Sequence, residues 1–411
     1  MAATPASVYG LRDFRRLWFA EVVSKAGSNL TEVALAVLAF RLAGDKTLAY
    51  AGVLFVDLLP AALLGWAGGL LADRLDRRRL LVAVNLVRGV LVASIPLVGT
   101  LWWAYVAVFL SQVGAVAYRP TLKALIPEAV GPERILAANA ALEVGTSAVD
   151  IPAYLLGAAL LLNIGLMPTF LGDGASFAAA AAAVAGLSGG LGRAPAPAET
   201  GDTPRGMWED VRAGIAYHGE HRVLLRLLLL FMLGAFGLVG VNVLSAAFVH
   251  DVLRGPEGLL GWLLAALAAG RWVAGWAMGR LAPPPRAYPL WVWRGFASAG
   301  VWLLLLATAP AFPLAVLLFM GLGLANGLLV VPLNAWIQGM VPLAMRGRVY
   351  AARATGLAWA GAASVGLTGV LATAWGVRWT LAILAAFVFL VSAWAWGWLS
   401  AEVPAAGTLG S

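Results

Sequence analysis

The sequence predicts an all-α membrane protein, with twelve transmembrane helices arranged as two pseudo-symmetric six-helix bundles. Three observations lead there. Of 411 residues, 62% are hydrophobic and only 12% charged, whereas soluble domains carry about a quarter charged residues. The apolar residues gather into twelve runs of spanning length, and a bilayer crossing takes about 20 residues. The last six runs repeat features of the first six.

In order, the runs cover about 16–41, 48–71, 80–99, 102–122, 134–162, 166–190, 224–249, 258–280, 288–308, 311–335, 350–373 and 378–399. Basic residues orient them. With the N-terminus inside, the segments on that side hold 20 of the 28 lysines and arginines, and the opposite loops hold four: Arg41, Lys46, Arg254 and Arg378. Positive loops stay in the cytoplasm, so both termini are expected there. The first run is too long and too polar for a cleavable signal peptide and reads as an uncleaved first span.

Residues 191–222 form the one long loop, which sets three regions: an N-terminal bundle over 1–190, a linker over 191–222 and a C-terminal bundle over 223–411. The linker opens with a flexible stretch from Ala194 to Asp202. Trp208, Val211 and Ile215 then recur at helical spacing, which predicts a short amphipathic helix at the inner membrane surface.

The two halves repeat. An offset of 206 carries Gly69 onto Gly275, Arg74 onto Arg280 and Arg88 onto Arg294, and an offset of 215 carries Pro127 onto Pro342. Duplicated bundles are the mark of a transporter. The net charge of +8 does not indicate nucleic acid, because the arginines sit in short loops between apolar runs and form no basic face. With no cysteine and three histidines, disulfides, thiol chemistry and the usual metal sites are not expected. No nucleophile–base pair at membrane depth suggests an enzyme. A monomer without cofactor is expected.

The charged turn after span 2 holds Gly69, Asp73, Arg74, Arg77 and Arg78. Four arginines in six residues belong in water on the cytoplasmic side. Asp73 can cap a neighbouring helix or pair with Arg74 or Arg77, and Gly69 lets a helix approach closely. The set reads as a conformational latch, with a plain positive-inside loop as the alternative.

A charge at the bilayer centre costs about 2.5–3.5 kcal/mol on insertion scales, so ionisable residues within spans face the protein interior. They are Glu21, Lys25 and Glu32 in span 1, Asp57, Arg88, Glu143, Asp150, Asp173, Arg271 and Arg294. Every acid lies in the first half, which places proton chemistry there and leaves the second half to shape the substrate side. Glu21, Lys25, Ser28 and Glu32 recur at helical spacing and share one face. Glu21 and Lys25 are expected to pair along the helix, which leaves Glu32 outside the pair. Asp150 precedes Pro152, where the helix ladder loses a donor and water can enter. Glu143 lies two turns before it, and Asp57 lies three residues before Pro60. The coupling candidates are therefore Glu32, Asp150, Glu143 and Asp57, with a structural role as the alternative for each. Substrate-cavity candidates are Glu21, Lys25, Ser28, Gln112, Asn242, Trp262, Arg271 and Asn326. Arg88 and Arg294 are expected to be structural, and Asp173 interfacial.

The stretch Gly69-x-Leu71-Ala72-Asp73-Arg74-x-Asp76-Arg77-Arg78 resembles the loop between spans 2 and 3 of the major facilitator superfamily, which has glycine where this chain has Asp76. That superfamily is itself a known case of duplicated six-helix bundles, so the repeat and the resemblance are not independent. Phe14-Arg15-Arg16-Leu17-Trp18 with Ser24-x-x-Gly27 resembles the branch of drug:proton antiporters that includes macrolide-efflux and enterobactin-export proteins. So do Leu125-Ile126-Pro127-Glu128, Ala138-Asn139-Ala140 and Val341-Pro342-x-x-x-Arg346-Gly347-Arg348-Val349. Departures are Ser28, where members often carry an acid, Phe109 in place of an arginine, and a lone Gly157 after Pro152. The resemblance implies a secondary transporter in the inner membrane that exports amphipathic drug-like compounds by proton antiport with alternating access. A siderophore or lysophospholipid exporter stays open, as does a channel or a non-transporting sensor.

Overall fold

A computed structural model describes residues 8–44, 46–65, 75–192, 216, 219 and 221–405, without the side chains of 343–344, 346–348, 351 and 400–405. Gly69, Asp73, Arg74 and the amphipathic helix expected after the linker lie outside the described residues. Among the described residues, twelve long helices carry the fold. In the first half they are α1 (Arg12–Leu42), α2 (Lys46–Leu64), α3 (Arg77–Val98), α4 (Leu101–Val130), α5 (Ile135–Asn163) and α6 (Leu166–Ala185). In the second they are α7 (Arg222–Ala247), α8 (Leu259–Leu281), α9 (Tyr288–Thr308), α10 (Phe312–Met340), α11 (Leu343–Trp375) and α12 (Val377–Ala405). Each overlaps one of the twelve apolar runs. Among the described residues, eleven helical segments are long and apolar enough to span a membrane. The exception is α6, which is alanine-rich and diluted by Thr169, Asp173 and Ser176.

Local chemistry sets the ends. Asp76 caps α3 by accepting from the Arg79 amide at 2.8 Å, and Gly99 ends that helix in the left-handed region at φ 65°, a conformation glycine adopts without strain. Thr100 then caps α4 through the Trp103 amide. Pro60, Pro96, Pro120, Pro127, Pro152 and Pro332 lie inside helices, a placement tolerated in membrane proteins because neighbouring groups satisfy the freed carbonyls.

The chain forms two compact units. The first contains residues 1–43 and 56–208, the second 44–55 and 209–411. The opening turns of α2 thus pack with the second unit, where Ala51 lies against Gly369 of α11 and Lys46 Nζ lies 2.8 Å from His250 Nε2. Within the first unit α1 packs on α5 and α6, and α3 packs on α4 and α6. Within the second α7 packs on α11 and α12, and α9 packs on α10 and α12. The same pairings recur six helices later, which is the structural form of the sequence repeat.

Candidate functional site

The polar face of α1 meets α5. Lys25, Asn29 and Glu32 lie on successive turns of α1, and Asp150 and Tyr154 are one turn apart on α5, so the rows can face each other. Lys25 Nζ is 3.5 Å from Asp150 Oδ1. Asn29 Nδ2 donates to the same oxygen at 2.8 Å. Tyr154 Oη donates to Glu32 Oε2 at 2.7 Å. The seam is anchored lower down, where Trp18 donates its indole N–H to the Ala141 carbonyl at 3.1 Å. Beside it Gly145 has no side chain, and a methyl group there would overlap the Trp18 ring.

One expectation changes here. Lys25 pairs across to Asp150 and not along the helix to Glu21. Glu21 instead keeps one buried carboxylate oxygen without a hydrogen-bond partner. Glu32, expected outside the Glu21–Lys25 pair, accepts a hydrogen bond from Tyr154. Sequence spacing along one helix shows which residues share a face but not what the facing helix presents, and Tyr154 carries no charge to draw attention.

A second cluster joins α1, α3 and α6. Asp173 is 1% exposed, which overturns the interfacial placement expected from its position near a span end. Thr31 Oγ1 donates to its carboxylate at 2.6 Å and Ser176 Oγ does so at 3.1 Å. Gly27 makes this possible, because any side chain there would overlap Ser176 Oγ and the Asp173 carboxylate. Gly89 and Gly174 bring α3 against α6, each with its Cβ position 3.1 Å from the other's carbonyl oxygen. Arg88, next to Gly89 on α3, interacts electrostatically with Asp173. Its guanidinium sits 4.4 Å from the Phe177 ring centroid and its Nε donates to Ser111 Oγ at 3.2 Å. Sequence reading missed Asp173 as a buried site. The signal was present in Gly27 and Thr31, one turn apart and opposite an acid within an alanine-rich helix.

The remaining candidates divide. Asp57 accepts from the Gln112 amide, so α2 and α4 bring these two together. Ser28 is half-buried on α1, and Glu143 is exposed on α5. In the second unit, Asn242 and Asn326 are half-buried, whereas Trp262 is 48% exposed and Arg271 is also exposed.

At the ends of α3, α4 and α6 the arginines Arg77, Arg78 and Arg16 find partners. Arg77 donates from its guanidinium to Glu128, and its amide donates to the Gly192 carbonyl at 2.8 Å. Glu128 also accepts from the Gly192 amide at 3.0 Å. Arg78 reaches the Ala185 carbonyl and Arg16 the Gly186 carbonyl. Asp13 accepts from the Ser188 amide at 3.0 Å. Glu128 thus joins Arg77 in tying the chain after α6 to α3 and α4.

Twelve helices in a duplicated pattern, with ionisable side chains paired inside one half, define a multi-pass membrane transporter. The chain belongs to the Major Facilitator Superfamily, whose family model matches residues 17–364. It is 27% identical over 335 residues to the uncharacterized MFS-type transporter YfiS of Bacillus subtilis, covering 78% of this chain and 77% of that one. It is 24% identical over 346 residues to the multi-drug resistance efflux pump PmrA of Streptococcus pneumoniae, covering 82% and 84%. Among solved structures, it resembles a POT family transporter in complex with 5-aminolevulinic acid, with a TM-score of 0.74, 14% identity and coverage of 93% and 95%. It also resembles a bacterial homologue of the human lysosomal transporter Spinster, with a TM-score of 0.69, 15% identity and coverage of 93% and 95%. At these identities the structural likenesses speak for the fold alone.

Proposed function

We propose that this chain is a secondary active transporter that exports amphipathic drug-like compounds by proton antiport with alternating access, from the inner membrane and with both termini in the cytoplasm. The observation that carries the reading is the α1–α5 seam. It holds two carboxyl groups, Glu32 and Asp150, and a single ammonium, Lys25. Among the described residues, Asp150 faces a cation and Glu32 a neutral hydroxyl. Proton exchange at Glu32 changes the charge facing Tyr154, and a proton added to Asp150 releases Lys25. Either event changes which helix packing is favoured, and a bound proton acts on an equilibrium only through such a difference. Asp57, held by Gln112, is the next candidate, and Glu143 follows it. The multidrug name of the PmrA relative supports an amphipathic cargo. Glu21, Lys25, Ser28 and Gln112 from the first half and Asn242, Trp262, Arg271 and Asn326 from the second would contact it, and Gly69, Asp73, Arg74, Arg77 and Arg78 would latch one conformation.

Ethidium is a suitable probe, because it is a permanent cation that a pH gradient alone does not trap. In proteoliposomes with an acidic lumen the protein should accumulate radiolabelled ethidium, and a protonophore should abolish the accumulation. Accumulation indifferent to the protonophore would overturn proton coupling. Flux without exchange of labelled for unlabelled ethidium would mark a channel.

A further inference from the structure

We infer that the inner rim of the second unit is a binding surface for anionic phospholipid headgroups. The rim is the end where α7, α9 and α11 begin and α8, α10 and α12 finish. Three exposed arginines stand on it, and each lies against an indole. Arg226 of α7 is 5.7 Å from the Trp398 ring centroid, Arg280 of α8 is 4.7 Å from Trp276, and Arg294 of α9 is 5.1 Å from Trp291. The tryptophans run on across neighbouring helices. Trp293 meets Trp396 at 4.6 Å between centroids, and Trp336 meets Trp398 at 6.4 Å.

Two contrasts make this more than a positive-inside bias. In the first unit three arginines near the same end are engaged by oxygens: Arg77 by Glu128, and Arg78 and Arg16 by carbonyls. In the second unit, the carboxylates among the described side chains are Asp251 and Glu257, both at the opposite end. Counted over the sequence, the inner segments of this half from Arg205 onward hold nine arginines, with Arg294 inside the span that follows Arg286, against Glu209, Asp210, Glu220 and Glu402. Just below the rim, Arg353 Nη1, Tyr350 Oη and Trp398 Nε1 are buried donors without a hydrogen-bond partner. The surface therefore offers donors and positive charge with few acceptors.

A guanidinium stacked on an indole is held in orientation and keeps N–H groups free for a second partner. Phosphate is the acceptor that a planar guanidinium fits best, and basic clusters of this kind at the cytoplasmic end of membrane helices recruit anionic lipid. Indoles themselves settle at headgroup depth. A phospholipid with a net negative headgroup is thus the occupant that charge, geometry and depth select together.

The test uses the full chain, purified and delipidated, then offered equal amounts of phosphatidylglycerol and phosphatidylcholine with matched acyl chains. Native mass spectrometry counts the lipid retained. The wild type should retain several-fold more phosphatidylglycerol. The variant carrying R226Q, R280Q and R294Q should lose that preference. A control carrying R12Q, K123Q and R134Q removes three exposed positive charges from the inner end of the first unit and should keep it. Should the triple rim variant fail to purify, the three single variants carry the test, and each should lose part of the preference. The inference is overturned if the wild type shows no preference, if control and rim variants lose it equally, or if all three single variants leave it unchanged.

Discussion

At the scale of single residues, Asp173 and Asp150 are held in different ways. Asp173 is fully enclosed, accepts from two hydroxyls and has Arg88 as its electrostatic partner. Asp150 shares one oxygen between Lys25 and Asn29, and its side chain is 21% exposed. A hydrogen bond to a charged group contributes about 1.5–3 kcal/mol. Asp173→Asn should therefore destabilise the protein by an amount of that order, read as a lower thermal midpoint in detergent, and leave ethidium accumulation proton-dependent. If that variant folds normally and loses proton dependence, the coupling acid is Asp173 and the assignment to the α1–α5 seam is wrong. Gly27→Ala should be costlier still, because the methyl overlaps two groups that are themselves hydrogen-bonded; overpacking of this kind costs about 1–3 kcal/mol or more. Loss of monodisperse protein on size exclusion would report it. The acids themselves were legible in the sequence as charges within apolar runs. Their partners were not, since Thr31, Ser176, Asn29 and Tyr154 are ordinary polar residues whose roles exist only once two helices are side by side.

At the scale of elements, the twelve helices were legible because apolar runs of membrane length are a strong signal. Their ends were less so. The run after Leu101 reads as stopping near 122, yet α4 continues to Val130 through Pro120 and Pro127. That extension carries Glu128 to Arg77 and Gly192, an anchorage that the turn's own residues do not reveal. Glu128→Gln removes the charge from both contacts at once. It should reduce ethidium flux several-fold while membrane insertion and yield stay near the parental level. Parental flux in Glu128→Gln would show that the tie between α3, α4 and the segment after α6 has no part in turnover.

At the scale of the whole molecule, the recurrence of the first unit's helix pairings in the second gives physical form to a repeat that three glycine and arginine matches and one proline match announced. The halves have diverged in charge. Among the described residues, in-span acids gather in the first and arginine–indole pairs in the second, so the repeat-related Arg88 and Arg294 now have different surroundings: one half-buried beside Ser111 and Phe177, the other exposed over Trp291. The chain lacks cysteine, so its topology is open to direct labelling. Single cysteines at Ser7, Thr203 and Thr408, positions outside the described residues, should resist an impermeant maleimide in intact cells and react after lysis. Labelling before lysis at any of them would reverse the orientation.

The central claim is that the α1–α5 seam couples cargo movement to protons, and Glu32→Gln probes it most directly because Tyr154 can still hydrogen-bond the amide. A coupling acid is needed for uphill movement and not for exchange at equal pH. In proteoliposomes, Glu32→Gln should exchange labelled for unlabelled ethidium at near the parental rate while failing to accumulate it against a gradient when the lumen is acid. Parental accumulation by Glu32→Gln, undiminished when Asp150→Asn is added, would contradict the account and leave both acids structural.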